Sequence, residues 1–139
     1  EIHPDSKDAE TDLHYLHEKV KAGSDFLVTQ FFFDNAAYFD FVTRARAIGI
    51  EVPIVPGIMP ITSAANVKRI PSFGGGEFPS ELRTEIDACE DDDEKTLELG
   101  IRWATLQCRE LLDGGAPGIH FYTLNRSPAT RRIHANLFA

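Results

Sequence analysis

Apolar positions along the chain follow two different periods. Over 8–22, Leu13, Leu16 and Val20 recur at i, i+3 and i+7, the spacing of one helical face, and Gly23 follows as a stop. Over 26–33, FLVTQFFF is apolar, β-rich and short, the pattern of a strand covered on both faces. A second helix is expected over 35–48, capped by Asp34 or Asn35, with Tyr38, Phe41, Val42 and Ala45 as its apolar stripe. The run 51–56, EVPIVP, reads as a strand closed by Pro56-Gly57, although Pro53 inside it cannot donate to a ladder. Thr62 or Ser63 then caps a helix running to about Ile70.

After a Gly-rich loop at 71–78, Pro79 opens a short helix over 79–88, and the acidic run 90–94 leads into a long one over 93–112. GIHFYT, 118–123, is the third strand, and Pro128 starts a last helix over 128–137. Strands separated by helices imply parallel pairing through right-handed crossovers. Two architectures fit: a doubly wound open sheet, or part of a (β/α)8 barrel. Three strands are too few for a whole barrel, and the chain does not begin with Met, so part of a larger protein is expected. The inner face of such a part, with Phe31, Phe33, Val55 and Phe121 as candidates, needs a cover: further segments, another copy of the chain in a homo-oligomer, or the chain itself rearranged.

Composition narrows the function. The 139 residues have a net charge of −8, which disfavours binding to nucleic acid or to an anionic membrane. No apolar run approaches the ~20 residues of a membrane span. Cys89 and Cys108 are too few for a disulfide framework, and a cytoplasmic location fits best. No metal-ligand spacing, phosphate loop or nucleophile elbow occurs.

In parallel α/β folds, ligands lie beyond the carboxyl ends of the strands. That rule singles out Gln30, an amide in an otherwise apolar strand, and Arg126, whose guanidinium fork suits a carboxylate or phosphate. Asp12, Tyr15 and Lys19 share one helical stripe.

His3-Pro4-Asp5-Ser6 before the first helix, then TQFFFD, IVPGIMPI and HFYTLNR, resemble the methylenetetrahydrofolate reductases from His3 to the end of the last helix. The resemblance implies the C-terminal part of a (β/α)8 TIM barrel, with strands six to eight in residues 1–139. It also implies an FAD-dependent oxidoreductase that reduces 5,10-methylenetetrahydrofolate to 5-methyltetrahydrofolate, with NAD(P)H as co-substrate. It matches Gln30, Asn66 and Arg126 to folate-binding positions, and His3, Ser6, Asp12, Tyr15 and Lys19 to FAD-binding positions. The chain departs from the family pattern at Tyr15, where relatives carry Asn or His; at Glu18, where some carry Arg; and at Asn66, where some carry Gln. The family's catalytic Glu belongs to the earlier strands, so the resemblance implies no catalytic residue here and no activity of this part alone. The alternative class is a non-catalytic α/β ligand-binding or assembly module.

Overall fold

The computed structural model describes residues 7–73 and 77–139. Helix α1 spans Ala9–Lys21, and its N-cap is Asp8, whose carboxylate accepts from the Thr11 N–H at 2.7 Å. That hydrogen bond holds the Asp8 carboxyl below its ordinary pKa. Strand β1 is Leu27–Phe31 and helix α2 is Asn35–Ala47, capped by Asp34 rather than Asn35. Strand β2 is Ile54–Ile58, and Ser63 rather than Thr62 caps α3, Ala64–Arg69. A 3-10 turn, Ile70–Phe73, follows. Helices α4, Ser80–Asp87, and α5, Asp93–Asp113, lead to β3, His120–Phe121, and α6, Pro128–Leu137.

All three strands pair in parallel, in the order β1-β2-β3. Neighbours in sequence are neighbours in the sheet, and α1, α2, α5 and α6 collect on one face. Leu13 of α1, Tyr38 and Ala45 of α2, Ile101, Cys108 and Leu111 of α5, and Ile133 of α6 share one core cluster with Ile54 and Ile58. Tyr38 shows how this face is fixed. Its ring stacks on Phe32 at 5.7 Å, and its hydroxyl donates to the Ile54 carbonyl at 2.8 Å. Burial raises the Tyr38 pKa.

The structure revises the β2 boundaries. Pro53 lies before the strand, where its carbonyl accepts from the Leu27 N–H, and Pro56-Gly57 lie inside it rather than closing it. A proline is tolerated in this central strand because pairing with β3 begins only beyond it, at Gly57 and His120.

The expected open inner face is also revised. Phe121 points to the helical core instead. Phe31 and Phe33 are 3% and 5% exposed, because residues 59–73 and 77–89 fold over the carboxyl ends of the strands. There Met59, Ile61, Val67, Ile70, Phe78, Leu82 and Ile86 make a second core with both phenylalanines, and Phe33 meets Phe78 at 4.7 Å. Val28, Gln30 and His120 are exposed and Val55 is half-buried, so only the lower part of that face stays open.

Gly100 joins the two cores. A Cβ there would lie 1.9 Å from the Ile61 carbonyl oxygen, so α5 touches the backbone of the chain leaving β2. Alanine is the better helix former by about 1 kcal/mol, yet Gly100→Ala should lower stability by about 1–3 kcal/mol through overpacking. Gly118 has nothing within 4 Å of a built Cβ and serves as the neutral control. Urea unfolding of both variants checks this, and a stabilised Gly100→Ala would contradict the contact.

Cys108 is fully buried in α5, and desolvation pushes its thiol up to about 12. The unfolded thiol titrates near ~8.5. The buried neutral thiol therefore contributes its full stability below that pH, and the contribution is lost as pH rises towards about 12. At pH 8, iodoacetamide should label Cys108 only after denaturation, read by mass spectrometry. Labelling of the native protein within minutes would contradict its burial.

Candidate functional site

The site begins with an irregularity in β1. Pairing with β2 matches Val28 with Val55 and then Phe31 with Gly57, so β1 advances three residues while β2 advances two. The extra residue makes a bulge at Thr29-Gln30, a rare event between parallel strands. The Thr29 side chain repairs the ladder. Its Oγ1 accepts from the Gly57 N–H at 2.9 Å and donates to the Gln30 carbonyl at 2.7 Å.

Tyr122, just past β3, reaches across β2 to the same place. Its hydroxyl donates to the Thr29 carbonyl at 2.9 Å. To get there its ring passes over Gly57, where a Cβ would lie 2.6 Å from Tyr122 Cε2 and 2.5 Å from the Thr29 oxygen. Only glycine leaves that space. The ring also meets Phe31 edge-on at 6.0 Å and His120 at 4.8 Å.

Gln30 follows immediately. A strand covered on both faces would bury this amide; the structure leaves it exposed. Its Nε2 donates to the Phe73 carbonyl at 3.2 Å and its Oε1 accepts from the Phe31 N–H at 3.1 Å. Gln30 is thus tied to the 3-10 turn, while its polar end stays accessible.

Asn66 sits in the first turn of α3, the helix after β2. The Ser63 hydroxyl accepts its N–H at 3.1 Å, and its Oδ1 accepts the Thr62 N–H at 3.2 Å. The pair resembles a capping box, with Asn66 reaching back one residue past the N-cap to Thr62. Its Nδ2 has no hydrogen-bond partner among the described residues.

Arg126 follows β3 through a tight turn. Leu124 and Asn125 both have positive φ, 49° and 61°, and the Arg126 N–H closes the turn on the Thr123 carbonyl at 2.9 Å. Asn tolerates this region, whereas a leucine held there costs about 1–2 kcal/mol. Strain of this kind collects at ligand sites. The guanidinium is exposed and makes no ion pair among the described residues.

Gln30, Asn66 and Arg126 therefore stand at or beyond the carboxyl ends of three consecutive parallel strands. Asp12, Tyr15 and Lys19 lie apart from them on α1, with Asp12 half-buried and Tyr15 and Lys19 exposed. Lys19 makes no ion pair among the described residues. His3 and Ser6 lie outside the described residues. Thr29, Gly57 and Tyr122 stand at strand ends that the sequence does mark, but nothing in a linear pattern announces their contact across three strands.

A shallow groove of about 540 Å3 lies elsewhere, on the helical layer, lined by Phe39, Leu106, Arg109, Glu110, Asp113 and Gly114. It touches none of the residues above. Among the described residues no helix is long and apolar enough to cross a membrane.

Comparison with known proteins gives this geometry a family. The family model described as Methylenetetrahydrofolate reductase matches residues 1–138. Methylenetetrahydrofolate reductase (NADH) 1 of Arabidopsis thaliana is 39% identical over 99% of this chain, which spans 25% of that protein. A probable methylenetetrahydrofolate reductase (NADPH) of Caenorhabditis elegans is 39% identical over 97% of the chain, or 20% of its own length. The 5,10-methylenetetrahydrofolate reductase of Escherichia coli is 36% identical over 96% of the chain, or 45% of its own. An uncharacterized protein from Clostridium thermocellum, solved with two copies of 5-methyl-5,6,7,8-tetrahydrofolic acid, shares the fold at a TM-score of 0.59 and 18% identity, over 94% of this chain and 48% of that one. The chain thus spans between a fifth and a half of these relatives, and with the family model matched from its first residue to its last but one, it belongs to the methylenetetrahydrofolate reductase family.

Proposed function

We propose that this chain supplies the last three strands, six to eight, of a (β/α)8 barrel in a flavin-dependent methylenetetrahydrofolate reductase, and that it carries folate-binding and FAD-binding residues but not the acid–base residue. The observation that carries the reading is the coincidence of a family match over 1–138 with polar side chains at three consecutive strand ends. All-parallel strands with α1, α2, α5 and α6 on one face fit the local geometry of such a barrel, and its ligands lie at this end.

Gln30 is the central folate contact. Its amide both donates and accepts, so one neutral group can serve a folate heterocycle and a nicotinamide in turn without burying a charge. Arg126 offers an exposed, planar fork to an anionic or carbonyl oxygen of folate. Asn66 reaches folate through Nδ2, directly or through a water, since Oδ1 is committed to its cap.

The α1 stripe fits a flavin dinucleotide by its donor set. Asp12 can accept from hydroxyls, Tyr15 can do both, and the exposed Lys19 ammonium can offset phosphate charge. His3 and Ser6 join this group by the resemblance. A flavin bound there supplies hydride chemistry; the protein supplies position and electrostatics. NAD(P)H is the co-substrate, as the names of the NADH- and NADPH-type relatives support.

Replacing Arg126 by Ala in the intact reductase should raise the folate KM about ten- to a hundredfold, the worth of a charge-assisted hydrogen bond of roughly 1.5–3 kcal/mol. Flavin absorbance of the purified protein should not change. Arg126→Lys should recover only part of the loss, since it keeps the charge but not the fork. Gln30→Glu should weaken folate binding too, because a carboxylate accepts but cannot donate and its charge is dearer to desolvate. Steady-state kinetics with each substrate varied separately decide the matter. Normal folate kinetics in both Arg126→Ala and Gln30→Glu, or loss of flavin in place of folate affinity, would overturn the assignment.

A further inference from the structure

We infer that Tyr122 is a positioning residue for Gln30, acting through the Thr29 bulge. This rests on the folate reading of Gln30 and adds to it the group that aims the amide.

Three independent contacts converge on Thr29, one residue before Gln30. The Tyr122 hydroxyl donates to its carbonyl at 2.9 Å, from 93 residues further along the chain. The Gly57 N–H donates to its side-chain oxygen at 2.9 Å, and that same hydroxyl donates to the Gln30 carbonyl at 2.7 Å. The Thr29 side chain is therefore held from β2, and its carbonyl from the residue just past β3, two strands away. The missing Cβ of Gly57 is what lets the Tyr122 ring lie flat enough to arrive, with Cε2 only 2.6 Å from where that atom would be.

A bulge is a local choice among backbone conformations, and it re-aims the side chain next to it. In a regular ladder β1 would advance two residues against two, and every later side chain of β1 would change face. With the bulge, Gln30 is exposed on the open face while the next residue, Phe31, is buried in the second core with Met59, Ile61 and Val67. Tyr122 holds that arrangement from outside β1. Its hydroxyl touches no group proposed to contact folate, so its effect has to pass through Thr29.

The test is a double-mutant cycle in the intact reductase, read as the equilibrium Kd for 5-methyltetrahydrofolate and as the folate KM. Tyr122→Phe removes the hydroxyl and keeps the ring. It should weaken folate binding about two- to tenfold, the worth of one neutral hydrogen bond, with thermal midpoint and flavin absorbance near those of the parent. In a Gln30→Ala background the same substitution should have no further effect, because the aimed amide is gone. Equal fold-losses in both backgrounds would overturn the positioning role and leave the folate reading of Gln30 standing. A Gln30→Ala variant with normal folate binding would overturn that reading, and the positioning role with it.

Thr29 supplies a second route that does not depend on how well Tyr122→Phe folds. Thr29→Val removes the hydroxyl that carries the bulge and should reproduce the loss, while Thr29→Ser keeps it and should restore binding. Equal folate affinity in the Val and Ser variants would overturn the proposal.

Discussion

One extra residue in β1 organises the carboxyl end of this sheet. The bulge at Thr29-Gln30 would be a defect in the ladder if Thr29 did not accept the Gly57 N–H in place of a backbone carbonyl. Once made, it sends Gln30 to the open face and Phe31 into a core. Buried aromatic rings are the larger energetic term, at roughly 1.5–3 kcal/mol per side chain. The hydrogen bonds are individually smaller, but they decide which residues do the burying.

The two cores divide the labour. The helical core, with Tyr38 stacked on Phe32 and Ile54 and Ile58 beneath it, fixes the sheet against α2, α5 and α6. The second core fixes the cover over the strand ends, and Gly100 presses α5 against the backbone of that cover. Gln30 then bonds to Phe73 at its margin. The candidate ligand site therefore sits where a rigid sheet meets a separately packed segment, the usual division between scaffold and binding loop.

Much of the fold was legible in the sequence. Six helices and three strands follow from period and punctuation, and Pro128 marks the start of α6 to the residue. Local chemistry resolved some choices only in three dimensions: Asp34 over Asn35, Ser63 over Thr62. The misplaced β2 shows where pattern reasoning stops. Pro56-Gly57 is a strong turn signal, yet here the proline sits below the first β3 pair and the glycine makes room for a tyrosine from another strand. Phe31 and Phe33 lie under the cover of the inner face expected of them while Phe121 turns to the helical core, and no local pattern shows what covers a strand end. Of the site, Gln30 and Arg126 could be proposed from their places at strand ends; Asn66 came only with the family resemblance. The strained Leu124-Asn125 turn that carries Arg126 had no signal beyond a single Asn.

The central claim is that folate lies over Gln30 at the bulge. A crystal structure of the intact reductase with 5-methyltetrahydrofolate tests it most directly. The account predicts the pterin ring within hydrogen-bond distance of the Gln30 amide, with Arg126 turned towards the ligand and the Tyr122–Thr29 contact intact. A pterin bound away from β1, with Gln30 still donating to the Phe73 carbonyl and Arg126 in solvent, would contradict it.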